Sequence, residues 1–257
     1  MPGAITAGER LLPPQSQRVV PIFEAIASAA GFPLSRDMRI LDFGAGAGRH
    51  VGEFRDAGYE AWGVDQQFVS HSEGSVEEDF LRKTHPPEYR LPFDDGEFDF
   101  VYSTSVMEHV TNPGLALQEI ARVLRAGGLS AHVFPARWRP IEPHMYVPLG
   151  GRVQNYWAMR LWAGLGVRNG FQEGMPAREV ALHNVQFCKT GICYPTAHEW
   201  ELLARPHFER VRWDESTFIR ASEPVSKVSR LFAPLLGVPG AERLYRTIHT
   251  RVLVLHA

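Results

Sequence analysis

The residues best placed to do chemistry are three glycines, Gly44, Gly46 and Gly48, which follow an apolar run and precede a helix-forming segment. A glycine run at such a junction lets the backbone turn tightly and come close to a ligand. Its spacing is G-x-G-x-G, not the G-x-G-x-x-G of dinucleotide-binding enzymes. The acid Asp42 stands just before the loop, where a carboxylate suits a ligand with an ammonium group better than one with a pyrophosphate.

A second acid, Asp65, ends the next apolar run, residues 61–65. A carboxylate at the end of the second strand of a nucleotide-binding sheet can accept both hydroxyls of a ribose. A ligand with an amino group and a ribose but no phosphate is S-adenosylmethionine. The alternative interpretation of the glycine loop is a purely structural turn.

The segments that must position these residues alternate between short apolar runs and helices, which is typical of a parallel α/β sheet. The predicted strands are residues 39–43, 61–65, 98–103 and 129–134. One predicted helix covers 48–57, and a second begins at Pro113 behind the cap residue Asn112 and ends before Gly127. A further helix is predicted from Val19 to about Gly31, behind a loose arm.

The alternation of strands and helices stops after Pro135 for about 60 residues, which include three tryptophans, Trp138, Trp157 and Trp162. A helix with Val153, Trp157, Leu161 and Leu165 on one face is predicted within it. Long insertions after a core strand are usually functional, so we interpret the segment as a lid or substrate wall, with a membrane-interface helix as the minor alternative. Regular structure then resumes with a helix at 196–204, a strand at 208–213, a helical pair over 223–248 and a strand at 251–255.

Five stretches of the sequence resemble the class I S-adenosylmethionine-dependent methyltransferases, in particular the small-molecule branch typified by methyltransferase type 11. They are LDFGAGAGR (41–49), GVD (63–65), LPF with FD (91–93 and 98–99), EHV (108–110) and EIARVLRAGG (119–128). The resemblance is firm over 36–135. It implies an α/β fold with a Rossmann-like, doubly wound sheet of seven strands, mostly parallel with an antiparallel last strand, and a helical, aromatic insert after strand five.

The implied organisation is a single methyltransferase domain over 1–257. Its parts are an N-terminal arm and helix (1–35), a cofactor-binding core (36–135), a substrate-side insert (136–195) and a C-terminal half of the core with a helical insertion (196–257). The last two strands are expected to form an antiparallel pair.

The resemblance also implies roles for individual residues. Gly44, Ala45 and Gly46 would pass under the methionine part of the cofactor, with Asp42 near its amino group and Gly48 completing the loop. Asp65 would hold the ribose and Gln66 the adenine edge, while Ser103 and Thr104 would face the methionine part. The family usually has an acid four residues before the LPF motif, but Pro87 stands there, and Glu88 is the proposed substitute.

Methyl transfer to a hydroxyl needs a base that removes its proton, and histidine suits this because its ordinary pKa is near neutrality. His109 is favoured by its position after the fourth strand. Glu142 and His144 are favoured because they follow the fifth strand, at the edge where open α/β sheets place substrates. The alternatives are a packing or capping pair at 108–109 and a polar loop that packs on the insert.

Four possible metal ligands, His183, Cys188, Cys193 and His198, are spaced by five residues. Zinc sites usually contain close C-x-x-C or H-x-x-x-H pairs, and none is present. We therefore expect no metal from this set, and the cysteines are interpreted as small buried apolar groups.

Composition limits the function classes that remain. The 257 residues carry a formal net charge of −2, so no basic field favours nucleic acid. Two cysteines exclude a disulfide scaffold, and neither a signal core nor a stretch of 18 apolar residues is present. We expect a cytoplasmic protein without membrane contact; its oligomeric state is left open.

The predicted function is transfer of a methyl group from S-adenosylmethionine to an oxygen or nitrogen of a small-molecule acceptor, with S-adenosylhomocysteine as the product. The loop at 142–144 resembles methyltransferases encoded with glycan-assembly enzymes, which suggests a sugar or glycosylated metabolite. The alternatives are an NAD(P)-dependent oxidoreductase, which the loop spacing and Asp42 disfavour, and a cofactor-binding protein of the same fold without turnover.

Overall fold

A computed structural model describes residues 19–67, 78–85 and 89–257 of the chain. Seven strands form one sheet in the order β3-β2-β1-β4-β5-β7-β6. Their bounds are β1 Arg39–Phe43, β2 Glu60–Asp65, β3 Leu81–Lys83, β4 Phe98–Thr104, β5 Leu124–Pro135, β6 Arg210–Trp213 and β7 Thr250–His256. The predicted α/β fold with seven strands and an antiparallel last strand is confirmed.

The helices lie on both faces of this sheet and in the segment after β5. Their bounds are α1 Val19–Ala29, α2 Arg49–Asp56, α3 Pro113–Val123, α4 Tyr156–Gly164, α5 Ala177–Thr190, α6 Ala197–Ala204, α7 Glu215–Ser222, α8 Lys227–Phe232 and α9 Ala241–Ile248. Within the described ranges, no helix is long and apolar enough to cross a membrane.

The central strands are apolar throughout because both faces of the sheet are covered. Alternate side chains of β7 show this: Val252 and Val254 join the cluster under α1, α2 and α7, whereas Leu253 and Leu255 join the cluster under α3 and α6. All four side chains are fully buried. The last strand is therefore an interior element of the sheet.

The last two strands, β6 and β7, form the predicted antiparallel pair. β7 runs antiparallel to β5 on one side and to β6 on the other. The strand predicted at 208–213 is shorter, since β6 starts at Arg210, and Phe208 is instead buried before it. The buried carboxylate of Glu215 on α7 ties this region together, because it accepts hydrogen bonds from Arg246 on α9 and from the backbone of Val252.

The helix predicted to run nearly to Gly127 ends at Val123, because β5 begins at Leu124 opposite Phe98. The register of the pair then shifts. Gly127 has a φ of 74° and lies inside the extended strand. Strand pairing with β4 therefore outweighs the local preference for helix at these residues.

The segment after β5 has its own small core, which Met145, Val147, Met159, Ala181 and Cys188 form. The predicted apolar stripe of α4 does not belong to this core. Trp157, Leu161 and Leu165 are 77%, 60% and 67% exposed, whereas Met159 and Ala163 are buried. Helix α5 was not predicted, and the helical pair expected over 223–248 is α8 and α9, with α7 ahead of them.

Candidate active site

A cavity of about 930 Å³ opens at the carboxyl ends of β1, β2 and β4. The glycine loop, Asp65 and Gln66 line one part of it, and His109 and His144 line another. Residues of the segment 136–195 complete its wall, among them Asn169, Gln186 and Thr190. One space therefore joins the predicted cofactor residues to the predicted base candidates.

The glycine loop is held close to its neighbours on both sides. Gly44 has a φ of 88°, and a Cβ atom there would overlap the side chain of Val106, which follows β4. The N–H of Gly44 donates to the carbonyl of Val64 at 2.8 Å. On the other side, a Cβ at Gly63 would lie 2.6 Å from that of Ala45. Side chains at these glycines would disrupt this close packing.

Asp65 reaches from the end of β2 into this loop. Its carboxylate accepts a hydrogen bond from the N–H of Gly46 at 2.8 Å and another from Gln67 at 3.2 Å. Burial raises its pKa above the usual range, although these backbone N–H groups oppose the shift. A largely buried acceptor thus lines the cavity beside the glycine loop.

Asp42 lies deeper, within β1, and is not among the described residues that line the cavity. It is 2% exposed, and its Oδ2 atom has no hydrogen-bond partner in the described part of the chain. Burial raises its pKa to about 8, and the charges of Asp65 and Glu53 add to the shift. The next residue, Phe43, does line the cavity.

The remaining predicted cofactor residues have different surroundings. Gln66 and Thr104 line the cavity, and the Oγ1 atom of Thr104 is buried without a partner among the described residues. Ser103 faces the interior of the sheet, where its hydroxyl pairs with Nδ1 of His132 at 2.8 Å. Gly48, with a φ of 76°, caps α2. Glu88 lies outside the described residues.

The two base candidates are in contact. Nε2 of His109 lies 3.1 Å from Nε2 of His144. Nδ1 of His109 lies 2.5 Å from the carbonyl oxygen of Gly191, so this nitrogen must donate. Burial and then the charge on His144 lower the pKa of His109 to about 4, so its ring is neutral near pH 7.

Glu142 orients His144. Its Oε1 atom is 2.5 Å from Nδ1 of His144, and its Oε2 atom accepts from the N–H groups of His144 and Met145 at 2.8 and 2.7 Å. Burial raises the pKa of Glu142, but these hydrogen bonds and the charge on His144 outweigh it and hold the pKa below its usual value. Glu142 is itself buried, so its role is to position His144.

Several residues of the site were not singled out from the sequence. Tyr194 donates to Oε1 of Glu142 at 3.2 Å, and Gly191 binds His109 through its carbonyl. Thr84 and Tyr89 line the cavity on the cofactor side. Gly191 and His109 are 82 positions apart, and no local pattern links them.

Among the described residues, His183, Cys188, Cys193 and His198 do not form a cluster that could hold one metal ion. Cys188 is buried, and its sulfur contacts that of Met145 at 3.8 Å. His183 instead lines the cavity.

Comparison with known proteins adds to this geometry. A family model for the methyltransferase domain matches residues 41–131. An uncharacterized methyltransferase of Mycolicibacterium gilvum is 31% identical over 115 residues, which cover 43% of this chain and 44% of the relative. A ubiquinone biosynthesis O-methyltransferase of Maricaulis maris is 33% identical over 97 residues, which cover 36% of this chain and 38% of the relative. The chain thus spans less than half the length of either curated relative.

Solved structures share the fold over nearly the whole chain. An S-adenosylmethionine-dependent methyltransferase from Mesorhizobium loti has a TM-score of 0.52 at 11% identity and covers 94% of this chain and 100% of its own. A similar enzyme from Archaeoglobus fulgidus has a TM-score of 0.51 at 15% identity, with 94% and 95% covered. Residues 41–131 are thus similar to the methyltransferase domain, and the sheet has the strand order of the class I methyltransferase fold.

Proposed function

We propose that this protein transfers the methyl group of S-adenosylmethionine to an oxygen or nitrogen of a small molecule. The observation that carries the proposal is the single cavity that joins the glycine loop and Asp65 to the pair His109–His144. A methyl donor bound at one end and an acceptor bound at the other would be held in one space. Such positioning contributes much of the rate enhancement in two-substrate reactions.

The cofactor end fits a zwitterionic nucleoside. The backbone of Gly44 packs against the side chain of Val106 only because no Cβ is present, and both residues line the cavity. The unpartnered Oγ1 of Thr104, which lines the cavity, is a buried polar atom that a polar group of the ligand would satisfy. Asp42 lies behind the cavity wall and would act on the ligand's ammonium group through its charge. Asp65 would accept the ribose hydroxyls and Gln66 would lie at the adenine edge. Ser103 is left out of this set because its hydroxyl is engaged by His132.

S-adenosylmethionine, when bound, supplies a methyl carbon on a sulfonium whose sulfur leaves with the electron pair. The chain must orient the acceptor and remove its proton. Glu142 and the Gly191 carbonyl occupy both Nδ1 positions, so the two Nε2 atoms are the ring nitrogens left to assist that proton's departure. His109 and His144 would act at the acceptor, and Glu142 would position His144.

The insert side of the cavity supports a hydroxyl-bearing acceptor. Gln186 and Thr190 supply polar side chains that can pair with hydroxyls, whereas the amide of Asn169 is already engaged by the carbonyl of His144 and the N–H of Phe171. A sugar or glycosylated metabolite is the acceptor class we favour.

The proposal is tested first by cofactor binding and then by turnover. Calorimetry should show binding of S-adenosylhomocysteine and no comparable binding of NAD(H) or NADP(H). Mass spectrometry with S-adenosylmethionine and a panel of sugars, glycosides, phenols and amines should find one acceptor class that gains a methyl group. Preference for a nicotinamide cofactor would contradict the proposal. Cofactor binding without methyl transfer to any acceptor would favour a binding protein instead.

A further inference from the structure

We propose that Glu108, His109 and His144 bind a divalent transition-metal ion at the acceptor end of the cavity. Each of the three offers one ligand atom, and these atoms lie within 4.8 Å of one another. Two imidazole nitrogens and a carboxylate oxygen form the ligand set of many zinc and non-haem iron sites. This set differs from the evenly spaced histidines and cysteines, which remain apart.

The hydrogen bonds behind the histidines are those of metal-bound imidazoles. A ligating histidine usually donates its second ring N–H to a carbonyl or carboxylate, which fixes the lone pair on the other nitrogen. His109 has the Gly191 carbonyl at its Nδ1 atom, and His144 has the Glu142 carboxylate. With both rings neutral, each histidine therefore keeps a lone pair on the Nε2 atom that contacts the other ring.

Two facing lone pairs repel each other unless a cation lies between or beside them. The Nε2 atoms are 3.1 Å apart. Two nitrogen ligands, each about 2.1 Å from one ion at a tetrahedral angle, lie about 3.4 Å apart, slightly farther than these two atoms. The observed spacing is close to that for a shared ion; a single shared proton is the competing explanation.

The surroundings of Glu108 favour a shared ion over a shared proton. It is 1% exposed, and neither carboxylate oxygen has a hydrogen-bond partner among the described residues. One of these oxygens lies 3.9 Å from Nε2 of His109, and the three ligand atoms lie within 4.8 Å of one another, so the carboxylate would have to move inward by about 1 Å to share one ion with both histidines. A buried carboxyl group without hydrogen bonds is costly, and a bound cation would offset that cost. A proton shared by the histidines leaves both oxygens of Glu108 without a hydrogen bond.

The ion's role rests on the proposed function. Three protein ligands leave coordination positions open, and His109 and His144 line the cavity. An acceptor hydroxyl bound there would lose its proton more readily, because a metal ion lowers the pKa of a bound hydroxyl. The histidines would then assist deprotonation through the ion.

The test is binding of Zn²⁺ or Co²⁺ alone to the chelator-stripped full-length chain. Calorimetry should show one ion per chain, and Co²⁺ should produce a visible absorption spectrum. Glu108→Gln, His109→Ala and His144→Ala should each weaken binding by at least about 10-fold. His183→Ala removes a histidine from the same cavity but outside the triad, and should leave binding unchanged.

Lack of ion binding by the wild-type chain would overturn the proposal, as would equal binding by the triad variants and His183→Ala. Circular dichroism identifies any variant that fails to fold, and the conservative Glu108→Gln then carries the comparison. Binding of S-adenosylhomocysteine is measured in parallel. If the chain binds and uses the methyl donor but binds no metal, the metal site is wrong and the proposed function stands.

Discussion

The carboxylate of Asp65 accepts a hydrogen bond from the backbone N–H of Gly46 across 2.8 Å. Their strands, β2 and β1, run side by side in parallel, with Phe43 opposite Val64, so the end of one meets the loop that follows the other. The residue proposed to hold the ribose therefore also fixes the glycine loop. In this proposed role, Asp65 would determine both cofactor affinity and the order of the loop.

Asp65→Ala should weaken S-adenosylhomocysteine binding by about 1.5–3 kcal/mol, the range for hydrogen bonds to a charged group. Asp65→Asn, which keeps one acceptor oxygen, should lose less. Isothermal calorimetry measures both, and Asp56→Ala, an exposed acid on α2, is the matched control. Unchanged affinity in Asp65→Ala would contradict the ribose assignment.

Gly44→Ala should destabilise the fold more than Gly31→Ala does. Both glycines have positive φ, 88° and 80°, but an added Cβ meets Val106 at Gly44 and nothing within 4 Å at Gly31. The backbone strain is thus common to both, and the excess at Gly44 measures overpacking, typically about 1–3 kcal/mol. Urea unfolding gives the two values. Equal losses would mean that Val106 moves aside freely.

Asp42→Asn should stabilise the cofactor-free protein at high pH. The folded-state pKa of Asp42 is raised to about 8 from a usual 3.8, so its protonated form favours the fold at low pH. That stability is fully present below about pH 4 and is lost as pH rises through about 8. The difference in Tm between variant and wild type should therefore grow between pH 4 and pH 8. A pH-independent difference would argue against a buried, ionising Asp42.

His144→Ala should lower kcat by about 10²–10⁴, the usual contribution of a positioned acid–base group, while cofactor affinity changes only a few-fold. His109→Ala should act in the same direction. His198→Ala removes an exposed histidine on α6 and should leave kcat unchanged. Near wild-type turnover in both cavity variants would mean that the acceptor needs no histidine, as expected for an amine or an acidic phenol.

Much of the cofactor side was predictable because its determinants are local. Gly44, Gly46 and Asp65 lie next to strands whose apolar runs are visible in the sequence, and parallel pairing then brings them together. The closing strand was predictable for the same reason, since Val252–Leu255 can be buried on both faces.

The acceptor side required the structure. Sequence position suggested His109 and His144 separately, but their contact joins residues 35 positions apart. Gly191 enters the site only because the insert folds back onto the segment after β4, where the N–H of Cys193 donates to the carbonyl of Glu108. Ser103 was expected at the cofactor because it ends β4, but the alternation of the strand turns it toward His132.

The position of β7 has a consequence for synthesis on the ribosome. Among the described strands, β6 pairs only with β7, which is the last of the seven to emerge. Because nascent chains fold from their N-terminal end as they emerge, β1 to β5 can pair while β6 waits for its neighbour. We therefore expect a translation intermediate with an open edge on β5, and chaperone contact should be concentrated there until β7 is released.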